Sequence, residues 1–323
     1  MRPVKEARAP REFRARPEER SDGVDARSLL YCLSGVLCWG MAPVLYRFVG
    51  SNMAPQKMQA VRSVGFFLSA LAVLCLAPGG DFWPGPLPLA VLMICTVMDL
   101  GVGDTLYFLC VTRVGAGRAS ALTNTYPLYV VLFSWLILGE GLSSLALLGV
   151  LAVVAGLLLL CLFREEGTEN AYARRPIAAG LLPGILAGLC WSSGQVMMRW
   201  IYAHTAMGAS ALMFWRSAAL LIYAWAVFLP WRRRSGDAAP FLPLRSSGGL
   251  IMLASGALFL TLPGWLVALA LKSIPASAVA PVTGASPAVA ALLGRLLYHE
   301  TITPFQWLGI LMIISGGAVV NLF

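Results

Sequence analysis

Residues 123–156 read TNTYPLYVVLFSWLILGEGLSSLALLGVLAVVAG, and residues 283–316 read TGASPAVAALLGRLLYHETITPFQWLGILMIISG. Most positions differ, yet Thr123 matches Thr283, Pro127 matches Pro287, Glu140 matches Glu300, Gly149 matches Gly309 and Gly156 matches Gly316, each pair 160 residues apart. A helix breaker, an acid and two small residues kept in register identify two copies of one unit. Working outward, Cys38-Trp39 pairs with Cys190-Trp191 and Arg47 with Arg199 at an offset of 152, and Arg62-Ser63 pairs with Arg216-Ser217 at 154.

Both copies are built from apolar runs. Leu145–Phe163 and Phe305–Phe323 carry no charged residue, and each is close to the ~20 residues a helix needs to cross a bilayer. Across the chain 59% of residues are hydrophobic and 12% charged, against roughly 25% charged in a soluble domain. The expected fold is an all-α membrane protein with spans near 29–48, 58–77, 89–111, 116–138, 143–163, 178–201, 208–229, 248–271, 276–297 and 304–322. That makes about ten helices in two repeats, 28–163 and 176–322. Five spans per repeat forces the second to enter the membrane upside down, the inverted-topology repeat of many carriers. Residues 1–27 mix Arg, Glu, Asp and Pro without apolar periodicity and are expected to be a disordered tail.

Several classes of function lose their footing. The net charge of +9 resides in the tail and loops, where Arg and Lys contact lipid headgroups and set topology, so no nucleic-acid partner is expected. All seven cysteines fall inside apolar runs, and His204 and His299 stand far apart, so neither a metal site nor a cofactor is expected. The chain lacks His-Glu-x-x-His, Gly-x-Ser-x-Gly and Gly-x-x-x-x-Gly-Lys motifs, which argues against an enzyme and against ATP-driven pumping.

Trp39-Gly40, the run from Tyr107 through Val114 and Ala116 to Pro127, and Leu138-Gly139-Glu140, each with a second-half counterpart, resemble the EamA-domain branch of the drug/metabolite transporter superfamily. The second copy departs at His299, where the first has Gly139, and at Ser192, where the first has Gly40. The resemblance implies a ten-helix carrier in the plasma membrane that exports amino acids, metabolites or drugs, with both termini cytoplasmic. Loop arginines Arg164, Arg174, Arg175, Arg232, Arg233, Arg234 and Arg245 compete with that orientation, because span counting puts them on the side opposite the tail.

Candidate site residues follow from what lipid does to polar groups. Asp99 and Asp104 lie within the third span, where a carboxylate needs a cavity or a partner. Spacing of three and four puts Leu100, Asp104, Tyr107 and Val111 on one side of a helix. Asp104 is therefore a candidate for binding a proton or a substrate amine, and the competing reading is a structural pair with Arg62 or Arg216. Pro127 and Pro287 free the carbonyls of Thr123 and Thr283 at matched places, which points to helix breaks beside a polar cavity or to kinks that serve packing alone. Asn124, Thr283 and Ser286 are candidate hydrogen-bonding liners there. Trp39 and Trp191 lie mid-span, away from the interfaces where tryptophan anchors helices, and with Gln195 are candidates for lining a cavity.

The leading expectation is a secondary transporter for small amphipathic metabolites, working by alternating access and coupled to protons or another ion. An exchanger of phosphorylated or nucleotide-linked sugars is the alternative; it would need cations in the cavity, with Arg62, Arg216 and Arg295 the residues in question. An intramembrane enzyme or a non-transporting scaffold follows at a distance. The lipid bilayer and a small solute are the expected partners, and the oligomeric state stays open.

Overall fold

A computed structural model describes residues 26–46, 53–114, 116–163, 178–236, 241–242, 246–298 and 301–322. Most of the expected tail, together with Arg47, His299 and Glu300, lies outside them. The described chain is helical, with one short parallel bridge between Asp81 and Met207. The first repeat holds α1 (Ala26–Tyr46), α2 (Pro55–Leu76), α3 (Pro86–Thr96), α4 (Asp104–Val114), α5 (Ala116–Thr123), α6 (Tyr126–Phe133) and α7 (Ser144–Leu162). The second holds α8 (Ala178–His204), α9 (Ala209–Ser235), α10 (Ser247–Ser255), α11 (Leu262–Ser273), α12 (Ala276–Thr283), α13 (Ser286–Tyr298) and α14 (Pro304–Leu322).

Among the described residues seven helical runs are long and apolar enough to cross a membrane, and the apolar helices Ala26–Ala42, Tyr126–Leu138 and Ser144–Leu160 are shorter. Their outer faces carry large side chains that water would not tolerate in such number: Leu148 and Leu311 are 61% exposed and Ile314 63%. In a bilayer those faces meet acyl chains.

Among the described residues three stretches depart from α geometry. Val97–Gly103 joins α3 to α4, Ser134–Leu138 extends α6, and Gly256–Thr261 joins α10 to α11, all as π-helix. A π segment detunes the hydrogen-bond ladder, so its carbonyls look elsewhere for donors. Gln59 Nε2 donates to the Leu100 carbonyl, and Trp39 Nε1 donates to the Phe259 carbonyl at 2.8 Å. The expected breaks are present as turns at Asn124-Thr125 and Gly284-Ala285, just before each proline. At the first, the Asn124 side-chain amide donates back to the Ser120 carbonyl at 2.8 Å, and the Thr125 hydroxyl donates to the Leu122 carbonyl at 2.7 Å. The seventh expected span ends near 229, whereas α9 runs on to Ser235 with Pro230 inside it. The three arginines of its last turn complement the negative end of the helix dipole, and Gly236, at φ +66°, terminates it.

The glycine repeat closes an antiparallel seam between α7 and α14. A Cβ on Gly156 would lie 2.5 Å from the Gly309 carbonyl oxygen, and one on Gly316 would lie 2.5 Å from that of Gly149. Backbone touches backbone here, the packing that small residues permit in membranes. Gly309→Leu is expected to force these helices apart at a cost above the roughly 1–3 kcal/mol typical of overpacking between side chains. A fall in the thermal midpoint of detergent-solubilised protein reads it out, and an unchanged midpoint would show the seam to be slack.

The bundle has two ends. At one, Asp81 N–H donates to the Ala206 carbonyl at 2.8 Å, and Arg199, near the end of α8, bonds Glu140 and the carbonyls of Leu271 and Lys272. At the other, Gln306 Nε2 donates to the Leu160 carbonyl at 3.0 Å, and Phe163 stacks on Phe305 with ring centroids 4.6 Å apart.

Candidate substrate cavity

Where the broken and π-distorted helices meet, they leave a cavity of about 430 Å³. It runs from the middle of the bundle to Thr301, Ile302 and Gln306 at the second end, and none of the described loop residues at the first end line it. Trp39, Tyr107, Asn124, Trp191 and Gln195 line it, as do Thr283, Ser286 and both aspartates. Pro287 is in its wall; Pro127 is not, and instead packs beside Gly284, where a Cβ would lie 3.0 Å from the proline ring.

The two aspartates share this wall because of the π segment between them. Five residues of α-helix advance by about 500°, which would leave the side chains about 140° apart. Hydrogen bonds that span five residues bring positions 99 and 104 nearly one above the other. Each carboxylate then meets an arginine from the matched helices α2 and α9: Asp104 pairs with Arg62, and Asp99 pairs with Arg216. The side chains are buried, at 12% and 9% exposure in the first pair and 10% and 6% in the second. Asp104 also accepts from Trp191 Nε1 at 3.0 Å, and Gln59 accepts from Arg62 at 2.6 Å.

Glycines make room for this arrangement. A Cβ on Gly194 of α8 would lie 2.0 Å from an Asp99 carboxylate oxygen, and one on Gly103 would lie 2.9 Å from the Trp191 ring. Sequence reading passed over both positions; a glycine amid larger residues on α8 is the signal that marks such a close approach.

Toward the first end the cavity is floored by a polar layer that crosses the two repeats. Thr283 Oγ donates to its own helix, at 3.1 Å from the Ala280 carbonyl, and so accepts from Gln195 Nε2 at 3.0 Å and from Tyr126 OH at 2.7 Å. With its amide nitrogen committed to Thr283, Gln195 is left with a buried Oε1 that has no hydrogen-bond partner. Tyr126, absent from the sequence-based candidates, stands beside Trp191 with ring centroids 6.5 Å apart.

The arginines expected to serve a sugar-phosphate exchanger fall differently. Arg62 and Arg216 line the cavity, each with its carboxylate. Arg295 lies outside it, with its guanidinium 5.9 Å from the centre of the Trp307 ring. Among the described residues no group of three or more His, Cys, Asp or Glu side chains is placed to hold a metal.

Comparison with known proteins agrees with this architecture. The sequence profile of the EamA-like transporter family matches residues 26–162 and again 178–322. An uncharacterized transporter of Archaeoglobus fulgidus is 25% identical over 294 residues, covering 88% of this chain and 95% of the relative. The uncharacterized inner membrane transporter YedA of Escherichia coli K12 is also 25% identical, over 88% of each chain. One crystal structure superposes with a TM-score of 0.71 over 91% of this chain and 96% of its own, at 20% identity, which establishes likeness of fold.

Proposed function

From the premise that the chain belongs to the EamA-like transporter family and is an integral membrane transporter, we propose that it is a secondary carrier of small zwitterionic, amphipathic solutes, with amino acids the leading class. The observation that carries this reading is the pair of aspartate–arginine bridges beside three aromatic rings in one cavity. A zwitterion exchanges with such bridges at no net change of charge: its ammonium replaces a guanidinium on one carboxylate, and its carboxylate takes up the guanidinium so released. Trp39, Tyr107 and Trp191 then receive its apolar portion, in a cavity of a size suited to a small ligand. A sugar phosphate would bring about two negative charges to arginines already neutralised, which disfavours the exchanger reading.

On this reading the ten spans form two inverted five-helix repeats around the cavity, and the protein alternates between forms open at either end. With both termini cytoplasmic the floor faces the cytoplasm, and the open end faces outward in the plasma membrane, the form from which an exported solute leaves. Labelling of Gly236→Cys by an impermeant thiol reagent from outside, with Arg20→Cys protected, is the expected result; the reverse pattern inverts the direction of export.

Uptake by liposomes carrying the purified protein, over a panel of amino acids, drug-like amphiphiles and sugar phosphates, tests the assignment. Amino acids are expected to enter and to compete with one another, and a pH gradient is expected to change the rate. Flux confined to sugar phosphates, or no flux above protein-free liposomes, would sink it.

A further inference from the structure

The floor of the cavity is backed by a second polar cluster at the end of the bundle. Gly139, at φ +67°, ends the π segment after α6 and turns the chain so that Glu140 reaches across to the other repeat. One Glu140 carboxylate oxygen accepts from Arg199 Nε at 2.7 Å, and the other accepts from the backbone N–H of Ala276 at 3.2 Å. Arg199 in turn donates to the carbonyls of Leu271 at 3.0 Å and Lys272 at 3.2 Å. The last turn of α11 and the first turn of α12 expose the orphan carbonyls and N–H groups that every helix end carries, and α12 has no side-chain cap of its own. Glu140 and Arg199 serve as those caps from outside, tying four segments together.

Water can do the same job. Both side chains are part-exposed, at 17% for Glu140 and 23% for Arg199, so each bond here can be traded for hydration if the end opens. The layer beneath holds the buried Gln195 Oε1, which has no protein donor in the closed arrangement and would be hydrated if this end opened. We propose that the Glu140–Arg199 pair is a latch: it holds this end shut over an under-satisfied polar floor, and its loss shifts the protein toward the form open at this end. The proposal rests on the alternating-access reading above. Sequence repeats the same two residue types at Arg47 and Glu300; both lie outside the described residues, and the latch is complete without them.

Hydrogen–deuterium exchange on the full chain in nanodiscs tests it without a solute. In Glu140→Gln, amides of 271–278 are expected to exchange at least about tenfold faster, a shift of about 1.4 kcal/mol in the opening equilibrium. Peptides covering 158–163 and 301–308 become more protected at the same time. Arg199→Lys, which keeps the charge but not the forked donors, is expected to show the same reciprocal change in smaller measure. In the unaltered protein, raising salt from 0.1 M to 1 M screens the part-exposed pair and is expected to move both ends in the same directions. Faster exchange at the first end alone, or at both ends, would mean local fraying and overturn the latch, as would exchange indifferent to salt and to both substitutions. A reciprocal shift in a protein that moves no solute would sink the transport reading and leave the latch; solute flux without the shift would do the opposite.

Discussion

Asp99→Asn is expected to destabilise the protein more than the double substitution Asp99→Asn/Arg216→Gln, while both abolish transport. The single change removes one partner of a bridge whose side chains are 10% and 6% exposed and leaves the Arg216 charge stranded in the bundle. Breaking a buried pair from one side costs about 3–5 kcal/mol, whereas removing both charges is often close to neutral. Thermal midpoints in detergent should therefore fall for Asp99→Asn and recover in the double variant. Flux into liposomes should be lost in both, at least about a hundredfold, because neither variant keeps at position 99 the carboxylate that receives the solute's ammonium. Equal instability of the single and double variants would mean that pairing is not what the bridge contributes. The companion bridge adds a second readout: Asp104 also holds the Trp191 indole, and Asp104→Asn is expected to remove the response of flux to a pH gradient. Unchanged flux with an unchanged pH response would take Asp104 out of the mechanism.

Gly65→Val should prevent the folded bundle from accumulating at all. A Cβ at position 65 would stand 1.8 Å from the Leu253 carbonyl oxygen, and Gly256 opposite is as confined, 2.3 Å from the Phe66 nitrogen. Backbone blocks backbone on both sides, so no rotamer relieves the clash and α2 must leave the segment formed by α10 and the π turn after it. Arg62 sits one turn earlier on α2, and its bridge to Asp104 would go with the displacement. Overpacking typically costs 1–3 kcal/mol where side chains can give way; here the cost should exceed that range. Recovery of monodisperse protein from membranes is the measurement, with Ser69→Ala on the same helix as a control, which removes a hydroxyl bonded to Thr261 and to the carbonyls of Gly65 and Phe66 but adds no bulk. Wild-type yield and midpoint for Gly65→Val would show that α2 and α10 approach less closely than described.

Much of the cavity lining is legible in the sequence, because lipid makes polar groups conspicuous. Trp39, Trp191, Gln195, Asp104 and the residues around Pro127 and Pro287 stood out as misfits in apolar helices, and all but Pro127 face one cavity. The helix breaks were visible for the same reason: a proline removes a bond that hydrocarbon cannot replace. What escaped reading was phase. Straight α geometry turns Asp99 away from Asp104, and nothing in Val97–Gly103 announces a π segment except two glycines. The choice of partners escaped as well, since Arg62 and Arg216 occupy equivalent places in the two repeats and only the three-dimensional arrangement assigns Asp104 to one and Asp99 to the other. Tyr126 was hidden beside the more obvious Pro127.

The glycine seam of α7 and α14 has a mechanical corollary. Because main chains meet there at glycines seven residues apart, sliding either helix by one position would drive a side chain into a carbonyl, so the two can tilt as a pair but not shear. They form a keel: a stiff, lipid-facing strut on which a bulky probe attached to the outward leucines would report any tilt of the pair without entering the cavity.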